Sequence, residues 1–171
     1  METKTKKNHW PLAMLFLLMI TIYACGGSKG IITPEEEQQY QELVDLVNSR
    51  EFEIVSEWAV PQTGNNVSLI GNTNFIRFKG DSVNVYLPYF GERYSGGGYG
   101  TSGGIEYKGP IENFRVEERR NQQDLLLRFE GEQDSENLEF LITLYPNGNA
   151  NTSVTTSERS SITYRGEVEE M

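Results

Sequence analysis

Apolar and polar residues alternate along most of the chain after residue 50. In the segment FEIVSEWAV we expect one face to be shared by Phe52, Ile54, Trp58 and Val60. The segment LEFLITL, residues 138–144, has an apolar residue at every second position. A period of two predicts β-strands with one buried face. Similar short runs occupy 67–70, 75–78, 83–87, 105–107, 114–116, 125–129, the neighbourhood of Val154, and 162–164.

One segment has helical periodicity instead. Thr33, Pro34 and Glu36 form a T-x-x-E capping box with proline at the first helical position. The apolar residues that follow recur at intervals of three or four, at Tyr40, Leu43, Val44 and Val47. This spacing predicts a short amphipathic helix that ends near residues 48–50.

Turn-forming residues separate the predicted strands at intervals of roughly 8 to 12 residues. The strongest turn signal is Asn147-Gly148, which predicts a two-residue hairpin loop with positive φ at both positions. Together these patterns predict a mainly β fold. We expect a single antiparallel sheet of about 8–10 short strands, curled into a barrel or a sandwich, with one N-terminal amphipathic helix.

The first 24 residues have the composition of an export signal. Lys4, Lys6 and Lys7 precede a nearly unbroken apolar run at 12–24, which is shorter than the roughly 20 residues that a transmembrane helix needs. Residues 1–24 are therefore predicted to be a signal peptide. Glycine-rich residues 25–33 predict a flexible tether, and residues 34–171 predict a single β-rich domain.

The only cysteine of the chain, Cys25, directly follows the apolar run. The sequence Ile22-Tyr23-Ala24-Cys25 resembles the lipobox of bacterial lipoproteins, in which the cysteine becomes the first mature residue and carries acyl chains. The resemblance implies lipid attachment at Cys25 and a membrane contact through that anchor. The alternative is an ordinary signal peptide followed by an incidental cysteine.

Removal of the predicted signal peptide reduces the set of catalytic and metal-binding side chains in the mature chain. The mature chain keeps 12 basic and 24 acidic residues, a net charge of −12, and loses His9, the only histidine. Without histidine, a Ser-His or Cys-His nucleophile pair and an imidazole-based zinc site are excluded. The acidic surplus repels phosphate backbones, so no nucleic acid partner is expected. We expect no metal, no cofactor and no catalytic residue.

The glycine-rich segment YSGGGYGTSGG, residues 94–104, contains a G-x-G-x-x-G pattern. A dinucleotide site needs a helix after these glycines, whereas the alternating residues of IEYKGPIENF predict a strand. Phosphate binding is therefore not expected. Aromatic residues lie around this segment, and two hypotheses remain: the rings pack into the sheet, or they contact a ligand or partner beside a mobile loop. The candidate contact residues are Tyr86, Tyr89, Phe90, Tyr94 and Tyr99.

Carboxylates are the remaining candidates for chemistry. A glycosidase needs two carboxyl groups about 5 to 9 Å apart, and sequence alone does not place such a pair in a pocket. The segment EGEQDSENLE, residues 130–139, spaces its oxygens like a calcium loop but lacks the EF-hand glycine and final glutamate. An acidic hairpin turn is the preferred interpretation. An envelope hydrolase that uses carboxylate or hydroxyl groups stays as the alternative function.

Three segments resemble a family of small exported proteins. They are GDSVNVYLPYFGERY at 80–94, GGIEY at 103–107 and LYPNGNANTSVTTSERSSITYRGEV at 144–168. The family comprises Bacteroides-type envelope proteins, many of them lipoproteins, and is catalogued as a domain of unknown function. The resemblance implies a cell-envelope location, lipid-anchored at the outer membrane and facing the periplasm, and no particular activity. We expect a noncatalytic binding module whose partner is an envelope protein, a cell-wall fragment or an apolar small molecule.

Overall fold

The computed structural model describes residues 33–95, 103–133 and 135–171. The predicted signal peptide, the tether before Thr33, Cys25 and Tyr99 lie outside these ranges. Within them the chain forms one helix, α1 (Pro34–Ser49), and ten strands. The strands are β1 (Glu51–Pro61), β2 (Val67–Ser68), β3 (Phe75–Lys79), β4 (Ser82–Leu87), β5 (Ile105–Pro110), β6 (Glu112–Arg119), β7 (Asp124–Gln133), β8 (Glu136–Leu144), β9 (Asn149–Thr156) and β10 (Ile162–Glu170).

The helix begins as its capping box predicts. Thr33 Oγ1 accepts a hydrogen bond from the Glu36 backbone N–H at 3.2 Å, and the Glu36 carboxylate accepts from the Thr33 N–H at 2.8 Å. These bonds satisfy donors that the first helical turn leaves unpaired. The helix ends at Arg50, which adopts a left-handed conformation with φ 54°. The predicted helix is confirmed, and its apolar face supplies Tyr40, Leu43 and Val47 to the core.

The strands form one antiparallel sheet that is nearly closed into a barrel. Its order is β5-β4-β3-β1-β10-β9-β8-β7-β6, and β2 adds to β1 beside this path. The first and last strands of this order are consecutive in sequence, with Ile111 between them. Because β5 pairs with β4 while β6 pairs with β7, the chain from 105 to 119 turns the corner that nearly closes the barrel. The predicted fold class is confirmed.

Phenylalanine rings fill the interior of the barrel. The rings of Phe52 and Phe78 stack with centroids 4.5 Å apart, and those of Phe129 and Phe140 stack at 4.4 Å. Phe78 meets Phe129 edge to face at 5.5 Å, which joins the two stacked pairs. All four side chains are fully buried. The inward-facing positions of the sheet therefore build a packed core, as the alternation predicts.

The prediction that Trp58 and Val60 share the buried face of β1 is wrong, because Ala59 lies on that face instead. Phe52 and Ile54 are buried as expected, but the register of β1 against β10 shifts between Ser56 and Trp58. This β-bulge inserts one extra residue, Glu57, so the alternation changes phase and Trp58 is 41% exposed.

Two residues outside β1 hold this bulge. The side-chain oxygen of Asn74 accepts from the Ser56 backbone N–H at 2.7 Å, and its amide nitrogen donates to the Ser56 carbonyl at 2.9 Å. On the opposite strand, a Cβ atom at Gly166 would overlap the carbonyl oxygen of Val55 and lie 2.6 Å from Ser56 Cα. Only glycine fits there, because the bulged backbone approaches β10 too closely for a side chain.

The two-residue hairpin predicted at Asn147-Gly148 is also corrected. The Tyr145 N–H donates to the Asn149 carbonyl at 2.9 Å, and the Gly148 N–H donates to the Tyr145 carbonyl at 3.0 Å. Pro146, Asn147 and Gly148 therefore form a three-residue loop, in which Gly148 takes the positive φ of 84°. Asn147 instead accepts a hydrogen bond from the Asn149 N–H through its side chain.

Candidate functional site

A groove on the outer face of the sheet contains Tyr86, one of the predicted contact residues. Its volume is about 410 Å³, and we call it the seam groove because it lies between β3–β5 and the end of β7. It is lined by Phe75, Asn84, Val85, Tyr86, Glu106, Tyr107, Lys108, Glu132 and Gln133. Its size is within the range of small-ligand sites.

Three side chains are stacked at the β3–β4 side of the seam groove. The rings of Tyr86 and Phe75 lie opposite each other across the two strands, with centroids 6.0 Å apart. The guanidinium of Arg77 lies 4.0 Å from the centre of the Phe75 ring, and it also pairs with Glu53. The pair holds the guanidinium in place, and the hydrogen bond to Glu53 raises the pKa of Arg77. Tyr86 remains 41% exposed and forms an accessible aromatic surface.

Phe75 was missed by sequence reasoning, although the sequence contains the signal that locates it. The strands on either side of Gly80-Asp81 pair with Lys79 opposite Ser82. Folding the two segments about this predicted turn puts residue 75 directly opposite residue 86. A cross-strand aromatic pair on the outer face could therefore have been predicted from the turn.

Tyr89, in contrast, holds the segment after β4 in place. Its hydroxyl oxygen lies 2.9 Å from the carbonyl oxygens of Glu92 and Ser160 and 2.8 Å from Ser160 Oγ. The guanidinium of Arg159 lies 5.3 Å from the centre of its ring. The ring and the hydroxyl of Tyr89 both contact the segment between β9 and β10, which favours the packing hypothesis for this residue.

The same region contains a buried ion pair that sequence reasoning did not find. Arg159 donates through Nε to Glu136 Oε1 at 2.9 Å and through Nη2 to Oε2 at 2.8 Å. Its Nη1 donates to the Gly104 carbonyl at 2.6 Å, and Arg93 lies 3.4 Å from Glu136 Oε2. The pair joins the β7–β8 hairpin to the segment between β9 and β10. The two family-like motifs YLPYFG and SERSSITYRG therefore contact each other through Tyr89, Arg159 and Ser160.

Phe90 and Tyr94, two further predicted contact residues, do not line the seam groove. Phe90 is 36% exposed and Tyr94 is 67% exposed. The Tyr94 backbone N–H donates to the Glu158 carbonyl at 2.7 Å, so the described start of the glycine-rich segment is tied to the β9–β10 connection. The hypothesis of a mobile loop concerns the glycine-rich segment 94–104, of which residues 96–102, including Tyr99, lie outside the described ranges.

The carboxylates considered for chemistry have two kinds of environment. The buried ones are paired: Glu136 with Arg159, and Asp124 with Arg119 at 2.7 and 2.9 Å. Others line an outer groove of about 370 Å³, which we call the acidic groove and in which Glu112, Glu130 and Glu139 are cross-strand neighbours. Since Glu130 and Glu132 line this outer groove while Glu136 is buried, these three described carboxylates of the calcium-like segment diverge. No cluster of three metal-binding side chains occurs among the described residues.

The described part of the chain also contains no helix with the length and apolar character that a membrane crossing requires.

Comparison with known proteins identifies the domain. No curated protein matches the chain. A crystal structure of a DUF4251 family protein from Bacteroides eggerthii DSM 20697 is similar, with a TM-score of 0.59 and 14% sequence identity. The similarity covers 78% of this chain and 88% of that one, and at this identity it shows the fold alone. The family model described as a domain of unknown function, DUF4251, matches residues 34–168. The chain therefore belongs to the DUF4251 family.

Proposed function

We propose that this protein is a noncatalytic binding module of the cell envelope. It is held at the outer membrane, facing the periplasm, by acyl chains on Cys25, and it contacts an envelope protein through the seam groove. The observation that carries the proposal is the exposed stack of Tyr86, Phe75 and Arg77 beside a groove of about 410 Å³.

The chemistry of the seam groove favours a protein partner. Tyrosine, phenylalanine and arginine are enriched at protein interfaces. The aromatic rings bury large areas at a low entropic cost. Here Glu53 already restrains Arg77, which lowers the entropy cost of ordering this side chain on binding. The polar side chains of Lys108, Glu106 and Gln133 surround the aromatic stack, as the rim of an interface does. The interior of the barrel is filled by phenylalanine rings, so the proposed contact lies on the outer face.

Site-specific photo-crosslinking in cells tests this contact. A photoreactive phenylalanine analogue at position 86 should give a discrete adduct with one envelope protein. The matched control is the same analogue at Val116, which is 39% exposed on β6 and lies outside the groove. A second substitution, Phe75→Ala, should reduce the adduct at position 86. Equal adducts at both positions, or an adduct that Phe75→Ala leaves unchanged, would contradict the proposed site.

Lipid attachment is tested separately. Metabolic labelling with an alkyne analogue of palmitate should label the full-length protein, and the protein should partition with membranes. The Cys25→Ala variant should lose both properties. Label retained by Cys25→Ala would show that the acyl chains are attached elsewhere.

The alternative function, an envelope hydrolase, has one specific location to test. Glu130 lies directly between Glu112 and Glu139 in the register of β6, β7 and β8, and neighbouring same-face positions are close to the separation that glycosidases use. Activity on chromogenic glycosides that disappears in Glu130→Gln would support the hydrolase. If the protein is a binding module, the wild-type protein and Glu130→Gln should show no difference in glycoside hydrolysis.

A further inference from the structure

A second groove lies on the outer face where β1, β10 and β9 adjoin, and the bulge of β1 forms one of its sides. We call it the bulge groove. Its volume is about 390 Å³, and its lining residues are Glu57, Tyr145, Asn149, Ala150, Asn151, Arg165, Gly166 and Glu167. Trp58 lies directly opposite Arg165 in the register of β1 and β10, and Arg165 lies opposite Asn151 in the register of β10 and β9.

The bulge of β1 puts Trp58 on the outer face of the sheet. Without the bulge, the alternation of β1 would point Trp58 into the core, where its indole would be buried. Asn74 stabilises the bulge by hydrogen bonds to the backbone N–H and the carbonyl of Ser56. Gly166 allows the close approach of the two strands because it has no side chain. Bulges occur preferentially next to functional sites, where they redirect a side chain. Here the redirected side chain is the only tryptophan of the described residues.

Two side chains of the bulge groove, Asn151 and Arg165, each have a polar group without a partner among the described residues. Asn151 Oδ1 is buried and accepts no hydrogen bond from the described residues. The Arg165 guanidinium makes no ion pair within the described ranges, and the registers put Trp58 and Asn151 on its two sides. In the seam groove, by comparison, Arg77 is paired with Glu53.

We propose that the bulge groove binds a short, uncharged oligosaccharide. Sugars present an apolar face of C–H groups, which stacks on aromatic rings, and a ring of hydroxyls, which need both donors and acceptors. The groove supplies the ring of Tyr145, donors on Arg165 and acceptors on the carboxylates of Glu57 and Glu167. Trp58, which is 41% exposed, lies next to the groove, opposite Arg165 in the strand register. This second site does not depend on the seam groove.

The charges of the groove favour a neutral ligand. Glu57 and Glu167 line the groove with Arg165 as the single cation. The mature chain carries a net charge of −12, which lowers the local concentration of anionic polymers such as nucleic acids and phosphorylated glycans. A neutral saccharide meets no such repulsion.

Tryptophan fluorescence tests the proposal directly. In the full-length chain with Trp10→Phe, Trp58 is the only tryptophan. Because Trp58 lies opposite Arg165 in the register, its emission reports on the surface next to the groove. The probes are maltotriose, cellotriose and triacetylchitotriose, each titrated to about 10 mM, which saturates a site with a Kd of about 1 mM. At least one probe should give a saturable shift of the emission to shorter wavelength.

Matched variants decide whether the shift comes from the groove. Arg165→Ala and Tyr145→Ala should each weaken binding about ten-fold or more, while Val116→Ala on β6 should leave it unchanged. Circular dichroism of each variant checks that the exposed substitutions leave the fold intact. The absence of a saturable shift with all three probes would overturn the proposal. So would a shift that persists at full affinity in both groove variants.

Discussion

Phe129 and Tyr86 both lie on strands of the same sheet, but their surroundings differ completely. Phe129 is fully buried, with the ring of Phe140 stacked at 4.4 Å and the ring of Phe78 at 5.5 Å. Tyr86 faces outward, and its ring centroid lies 6.0 Å from that of Phe75. Its exposed fraction is 41%. The interior rings make their contacts with each other, whereas the outer rings leave area that a partner would cover.

This difference separates the residues that stabilise the fold from those that are available for binding. Burial of a large aromatic side chain stabilises a protein by several kcal/mol, while an exposed ring contributes little. The outer rings also lie beside polar groups such as Lys108 and Glu106 at one groove and Asn151 and Arg165 at the other. Substitutions should therefore affect stability inside the barrel and binding outside it.

Phe129→Ala should have the largest effect on stability. The substitution leaves a cavity between Phe140 and Phe78, and such a change costs about 4 kcal/mol. The matched control is Phe75→Ala on the outer face, which should cost less than about 1 kcal/mol. Urea denaturation of both variants measures the difference. Similar midpoints for the two variants would show that the interior rings are not the main source of stability.

Arg159→Met extends the comparison to ion pairs. Both side chains of the Arg159–Glu136 pair are buried. Removal of the guanidinium leaves a carboxylate whose one remaining cation among the described residues is Arg93, and we expect a cost of about 3 kcal/mol. The control is Arg77→Met, which breaks an exposed arginine–glutamate pair and should cost about 0.5 kcal/mol. In the double variant Arg159→Met, Glu136→Met, part of the stability should return. Equal destabilisation by Arg159→Met and Arg77→Met would contradict the role of burial.

Gly166→Ala tests the bulge that separates the two faces of β1. A methyl group there overlaps the Val55 carbonyl, so the backbone of β1 or β10 must move, at a cost of about 2 kcal/mol. The shift should also change the emission of Trp58. Gly103→Ala is the control, because an added methyl group would meet no atom of the described residues within 4 Å, and it should be neutral. A neutral Gly166→Ala would mean that the strands adjust without strain.

The sequence predicts the interior far better than the outer sites. Alternation identifies Phe129 and Phe140 correctly, because the inward positions of every strand meet in one core. Alternation fails at Trp58 because Asn74 and Gly166 stabilise a bulge in β1. Both residues lie outside β1, so the sequence of β1 alone does not predict that they contact it.

Long-range contacts explain why the sequence left the role of Tyr89 open and did not reveal the Arg159–Glu136 pair. Tyr89 has a local pattern that fits either a core ring or a binding ring, and its hydrogen-bond partner Ser160 is 71 residues away. The Arg159–Glu136 pair depends in the same way on how two hairpins meet. The loop at Asn147 is wrong for a local reason. Pro146 takes part in the loop, so the chain forms a three-residue connection with positive φ at Gly148 alone.

Alkaline pH distinguishes a buried tyrosine from an exposed one. Burial raises the pKa of Tyr164, the nearby Tyr89 adds to this effect and Arg159 partly opposes it. Above about pH 10 the unfolded chain releases this phenolic proton while the folded protein retains it, so stability should fall by about 1.4 kcal/mol for each pH unit. Urea midpoints measured between about pH 9 and 11 should fall less steeply in Tyr164→Phe. Parallel curves for the two proteins would exclude Tyr164 as a source of the pH dependence.

Tyr86→Ala should have the smallest effect on stability and a large effect on binding. The substitution removes one half of an exposed ring pair, which contributes about 0.5 kcal/mol, so the urea midpoint should hardly change. Loss of the ring removes the accessible surface of the seam groove, so capture of the crosslinked partner should fall when the photoreactive analogue is placed at the neighbouring Lys108. Val116→Ala should change neither property. If Tyr86→Ala destabilised the protein as strongly as Phe129→Ala, Tyr86 would contribute to stability like a core residue, and the contrast between the two faces of the sheet would fail.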